Sequence, residues 1–146
     1  ESLYETPSNR FVASFVGDST VLTGTLHNQG AHQGAPAGLQ LPSGQWLQGV
    51  NVNQAPQGAA VEASIRPERI VLHPPSASRG PNTVPATVAR AIYYGDHLRL
   101  MCDIGPGQAQ ATVKLPLTRA DANPHPQPGE QVQLEFPPVS TRIYAL

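Results

Sequence analysis

The chain has 146 residues, 16 of them proline and 13 glycine, and its 9 basic and 10 acidic residues leave a net charge of −1. No apolar run approaches the roughly 18 residues of a bilayer-crossing helix, and a single cysteine, Cys102, excludes an internal disulfide framework and fits a reducing compartment. The scattered, balanced charges give no footprint for nucleic acid, so composition leaves a loop-rich β domain or a partly disordered fragment. The chain starts at Glu1 with neither methionine nor signal-peptide pattern, which reads as a piece of a longer protein.

Ser8 or Asn9 can cap a short helix in which Phe11, Val12, Phe15 and Val16 form one apolar face, and Gly17 stands where such a helix stops. Two turns are marginal alone, so this face must pack on something. The pattern then becomes strand-like. Thr20–His27 is rich in β-formers, and short strands are predicted at Gly38–Leu41 and Gln45–Val52 around the turn Pro42-Ser43-Gly44. Ala60–Ile65 places Val61, Ala63 and Ile65 on one face and exits at Arg66-Pro67, where a proline suits a strand end. After a proline- and serine-rich stretch the pattern restarts, with runs at Pro85–Tyr94, Leu98–Ile104, Ala109–Leu115, Gln131–Phe136 and Arg142–Leu146. Many short strands and one helix predict a small barrel or sandwich. Mobility is expected at Gly30–Gly38, His73–Pro81 and Ala122–Pro128.

Catalytic motifs are missing from this sequence. The only lysine, Lys114, sits in a strand pattern rather than after a phosphate-binding glycine loop, and neither a nucleophile elbow nor a His-Glu-x-x-His pair occurs. Cys102 alternates with Leu98, Leu100 and Ile104 on an apolar strand face, the setting of an inert buried thiol. None of the five histidines stands at metal-ligand spacing, and His27 and His32 read as surface loop residues. Of Tyr93 and Tyr94, alternation predicts one ring in the core and one in solvent.

Four segments carry a resemblance, in order along the chain. Leu3-Tyr4-Glu5-Thr6-Pro7-Ser8-Asn9-Arg10-Phe11-Val12-Ala13-Ser14-Phe15-Val16-Gly17 resembles the stretch joining ATPase and regulatory domains in ABC importer ATPases. Ser64-Ile65-Arg66-Pro67-Glu68-Arg69-Ile70 resembles the family's Gly-Ile-Arg-Pro-Glu strand and turn. Ala86–Leu100, with Tyr94-Gly95-Asp96, resembles its Tyr-Leu-Gly strand, and Pro128-Gly129-Glu130-Gln131-Val132 its Pro-Gly-Glu-x-Val segment. Ser64 and Tyr94 depart from the usual glycine and leucine. The set resembles the C-terminal regulatory region, of the transport-associated OB (TOBE) type, of importers for maltose or spermidine/putrescine.

That resemblance implies a mainly all-β fold of small OB-like barrels in two intertwined halves, with a linker helix over residues 1–17 and a regulatory domain over 18–146. Its sub-barrels would span about 18–75 and 82–146. It implies a non-catalytic regulatory and dimerisation domain with no cofactor of its own, ATP and magnesium belonging to an ATPase domain before Glu1. The implied partners are a second copy of the subunit and membrane permeases, at the cytoplasmic face of the inner membrane, in an importer of polyamines or a related solute. Phe11, Val12, Phe15, Gly17, Arg66, Pro67, Glu68, Gly95, Pro128 and Gly129 carry the motifs and are expected to be structural. Other readings are a sensor of an oxyanion or other small-molecule effector, held at glycine-rich turns, and a single-stranded nucleic-acid binder, which near-neutral charge and few aromatics oppose.

Overall fold

A computed structural model describes residues 19–28, 36–76, 80–117 and 125–146. The helix expected at Ser8–Val16, with Phe11, Val12, Phe15 and Gly17, lies outside them, as do residues 30–35, 77–79 and 122–124 of the three stretches where mobility was expected. The described residues form ten strands and two single-turn 3-10 helices, Pro67–Arg69 and Pro138–Ser140. The strands are β1 (Thr20–Asn28), β2 (Pro36–Gln40), β3 (Trp46–Asn51), β4 (Ala60–Ile65), β5 (Val71–His73), β6 (Thr83–Tyr94), β7 (His97–Asp103), β8 (Ala111–Pro116), β9 (Gln131–Glu135) and β10 (Arg142–Ala145).

Five strands close a barrel in the order β1-β2-β3-β10-β4, antiparallel throughout except for β3 beside β10. One parallel pair closing a five-stranded barrel is the OB arrangement. The other five form an antiparallel sheet, β5-β9-β6-β7-β8. The two halves are intertwined because each takes a strand from beyond its own stretch of chain. The last strand, β10, completes the first barrel, while β5, which directly follows the barrel strand β4, pairs with β9 in the second sheet.

Alternation decides which face each strand buries. In β7, Leu98, Leu100 and Cys102 are fully buried, between partly exposed His97, Arg99 and Met101. In β4, Val61, Ala63 and Ile65 point inward as their spacing predicted. These side chains join Leu22, Leu39 and Leu47 of the barrel and Val113, Leu134 and Phe136 of the second half in one continuous apolar core. Each fully buried Leu or Ile contributes roughly 1.5–3 kcal/mol relative to exposure. The halves therefore share a hydrophobic interior.

Polar fasteners hold the same junction. Asn82 stands in the left-handed region at φ 58° and is 5% exposed. Its Oδ1 accepts from the Gln48 N–H of β3 at 2.9 Å, and its Nδ2 donates to the carbonyls of Gln48 and Phe136, both at 2.7 Å. The Thr20 hydroxyl donates to the Thr112 carbonyl at 2.7 Å and accepts the Thr112 N–H at 2.9 Å, tying β1 to β8. The Gln108 amide likewise accepts the Thr23 N–H and donates to the Thr23 carbonyl.

Barrel closure also sets a limit on bulk. A Cβ at Gly49 would lie 2.6 Å from the Thr141 carbonyl oxygen, because β3 and the turn into β10 meet there backbone to backbone. Gly49→Ala should therefore cost about 1–3 kcal/mol and lower the thermal midpoint by several degrees in a circular-dichroism melt. An unchanged midpoint would show that the junction relaxes.

Several sequence expectations need correction. The strand expected from Gly38 starts at Pro36, which was read as the end of a loop; Pro36 takes the first position of β2, where its missing N–H costs no ladder bond. The strand β5 was not anticipated, since three residues are too few to show a period. Tyr93 and Tyr94 are both exposed, at 55% and 44%. Beyond Thr87, β6 pairs with β7 on one side and with no described strand on the other, so neither ring enters the core: Tyr94 stacks on His97 and Tyr93 meets His125 edge-on at the surface.

Candidate functional site

The motif residues within the described part occupy three separate turns. Arg66 is extended, and the turn Pro67–Arg69 closes through Arg69 N–H donating to the Arg66 carbonyl at 2.9 Å. Pro67 is buried, with its fixed φ suited to the first position of a helical turn, whereas Arg66 and Glu68 are exposed. This corner carries the chain from the barrel strand β4 into β5. Gly95 forms the β6–β7 hairpin tip with open space where a Cβ would stand. Pro128 and Gly129 precede β9. Gly129, at φ 93°, donates its N–H to the Val88 carbonyl at 2.8 Å, and Glu130 accepts the Val88 N–H, which docks this turn on β6.

Chemically reactive groups do not converge. Cys102 is fully buried, and desolvation, with the charge of Asp103 as a smaller cause, pushes its thiol up to about 11. It should resist a disulfide-exchange reagent at pH 8 in the native protein and react fully once unfolded, because the thiolate is the attacking form. Rapid labelling of native protein would contradict that burial. Among the described residues no three of His, Cys, Asp and Glu come close enough to share a metal ion.

At the hairpin tip, the outer face of the sheet is aromatic and basic. Tyr94 stacks on His97 at 4.9 Å, and the Arg99 guanidinium lies 5.6 Å from the Tyr94 centroid. Arg99 Nε donates to His97 Nε2 at 3.3 Å and His97 Nδ1 meets Asp96 Oδ1 at 2.8 Å, which assigns the ring proton to Nδ1. The hydrogen bond from His97 is the main cause holding the Asp96 carboxyl below its ordinary range. Lys114 sits beside Arg99 across β7 and β8.

A concavity lies elsewhere, between the β2–β3 turn of the barrel and the outer face of β9, β6 and β7, with a volume near 1020 Å³. Trp46 stands at its rim, 54% exposed and edge-on to His27 at 4.7 Å. Thr87 pairs with Gln131 on one side and with Asp103 on the other, so an amide, a hydroxyl and a carboxylate form a row across three strands. Among the described residues that line the cleft there is no Arg, Lys or His. The sequence reading missed this cleft, since it arises from pairing between distant strands; a lone tryptophan in a polar strand was its only local signal.

Residues 63–143 match the family model of the TOBE domain. The chain is similar to a spermidine/putrescine import ATP-binding protein of Rubrobacter xylanophilus, 38% identical over 64% of this chain and 24% of that protein. It is also similar to a putative 2-aminoethylphosphonate import ATP-binding protein of Salmonella typhimurium, 31% identical over 94% of this chain and 34% of that protein. The chain thus spans about a quarter to a third of the curated relatives it matches. Among solved structures, the cytoplasmic molybdate-binding protein ModG shares the fold, with a TM-score of 0.71 at 16% identity, covering 86% of this chain and 95% of that one.

Proposed function

The chain belongs to the TOBE domain family, and from that membership we propose that it is the non-catalytic regulatory and dimerisation domain of the ATP-binding subunit of an ABC importer. The observation that carries this reading is the match over residues 63–143 together with relatives named as import ATP-binding proteins, of which the chain spans only a part. ATP and magnesium would bind in the remainder of such a subunit, which would pair with a second copy and with membrane permeases at the cytoplasmic face of the inner membrane. This chain contributes a barrel interlocked with a second sheet, a stiff body whose shared core transmits force between its halves.

The cargo is less directly supported. Several of the relatives carry names for spermidine/putrescine or for 2-aminoethylphosphonate, both amine-bearing solutes, which supports a polyamine or related amine as the transported solute. A second reading, an oxyanion sensor, draws on the molybdate-bound ModG neighbour. The cleft weighs against it, because an anion there would meet the Asp103 carboxylate and no cationic side chain among the described lining residues. Arg99 and Lys114 offer positive charge, yet a nucleic-acid role would need a longer basic track than this hairpin provides.

Light scattering on the purified chain should show a dimer population that grows with concentration, and the chain should neither hydrolyse nor bind ATP–magnesium. ATP turnover by the chain would overturn the non-catalytic reading, and a strictly monomeric chain at every concentration would count against dimerisation through this domain.

A further inference from the structure

The cleft beside Trp46 has a chemistry of its own. Its floor is the outer face of β9, β6 and β7, where Gln131, Thr87 and Asp103 are register partners in a line. Neighbouring strands lie about 4.8 Å apart, so the three side chains offer hydrogen-bonding groups at a repeat of roughly 5 Å. Within the described residues the Gln131 amide and the Thr87 hydroxyl make no hydrogen bond, while Asp103 Oδ1 accepts from Gln110 Nε2 at 3.1 Å. Trp46 supplies a flat apolar surface at the rim, and its exposure is unusual for the largest side chain in the protein.

Charge then selects the ligand class. Among the described lining residues an anion would meet no cation, and the carboxylate of Asp103 would repel it. A multivalent organic cation would need several carboxylates at separate positions, and Asp103 is the only acidic residue among the described lining residues, shared with the Gln110 amide. What remains is a neutral molecule carrying several hydroxyls. A side-chain amide donates and accepts at once, as a hydroxyl does, and a carboxylate accepts from two hydroxyls together. An indole face accommodates the C–H face of a sugar ring. We propose that the cleft between Trp46 and the Gln131–Thr87–Asp103 row binds a neutral polyol of mono- or disaccharide size, for which 1020 Å³ is ample room. Such a site would let a regulatory domain respond to a metabolite unrelated to nucleotide.

The protein carries its own reporter, since Trp46 is the only tryptophan in the chain. Titration with maltose, trehalose and glucose should produce a saturable change in Trp46 emission for at least one of them, in the millimolar range. Thr87→Val and Gln131→Ala should each weaken that binding about three- to tenfold, the worth of one lost hydrogen bond. Both positions lie outside the core, and a circular-dichroism melt confirms that the variants fold. Isothermal titration calorimetry with the same sugars supplies a readout independent of fluorescence. Absence of saturation with all three sugars overturns the proposal, as does saturation with spermidine or molybdate in their place. Sugar affinity unchanged in both variants overturns it too. None of these outcomes bears on dimerisation or on ATP hydrolysis, so the site and the importer reading fail separately.

Discussion

Ending the chain at Thr141, which removes β10 and Leu146, is expected to abolish the folded state rather than merely weaken it. This strand fills the gap between β3 and β4, so its loss opens the barrel and exposes two ladders at once. It also removes Ile143 and Tyr144, both essentially fully buried, the first in the shared core and the second against Val52. Two such side chains contribute on the order of 3–6 kcal/mol before any hydrogen bond is counted, against a total stability of roughly 5–15 kcal/mol for a domain. The truncated chain should lack a cooperative melting transition and be digested rapidly by protease. Because the core is continuous, the second sheet should be lost along with the barrel. A milder form, Ile143→Ala, should cost about 2–5 kcal/mol and leave a cooperative but earlier transition. Retention of a native-like melt after the truncation would mean that the halves fold independently.

Asn82→Ala is the second large effect. One side chain here satisfies the N–H and carbonyl of Gln48 and the carbonyl of Phe136, linking the barrel to the end of β9. Alanine leaves the buried Phe136 carbonyl without its partner, at about 1–3 kcal/mol, and the partly buried Gln48 groups at less, and it fits poorly at φ 58°. A fall in thermal midpoint on the order of 10 °C is expected. Two further variants separate the causes. Asn82→Gly relieves the backbone strain but not the lost bonds, and should stay well below wild type. Asn82→Asp keeps the acceptor for Gln48 N–H but turns a carboxylate oxygen towards two carbonyls, so it too should be destabilised. Wild-type stability of the glycine variant would show that backbone conformation, and not the hydrogen bonds, carries the effect.

Much of the fold was legible because its strands obey a period of two. The spacing of Leu98, Leu100 and Cys102, and of Val61, Ala63 and Ile65, identified both the strands and the faces they bury. Turn chemistry at Pro42-Ser43-Gly44 and Pro128-Gly129 marked where strands end. The missed elements share a physical cause. β5 is too short to show a period, and its existence depends on β9, some sixty residues later. The pair Tyr93 and Tyr94, of which one ring was expected in the core, was misjudged because alternation gives direction along a strand but cannot say whether anything lies on that side. The cleft is invisible locally for the same reason, since Gln131, Thr87 and Asp103 become neighbours only through the pairing of three strands. Motif resemblance located Arg66, Pro67, Gly95 and Gly129, and their geometry makes them corners of the fold that do not meet in one site.

The most direct test of the regulatory and dimerisation reading is sedimentation velocity, without nucleotide, on the complete ATP-binding subunit that contains this chain and on the same subunit lacking residues 20–146. The reading predicts that the complete subunit sediments as a dimer and the shortened one as a monomer. Dimers of equal strength in both, or monomers in both, would contradict it.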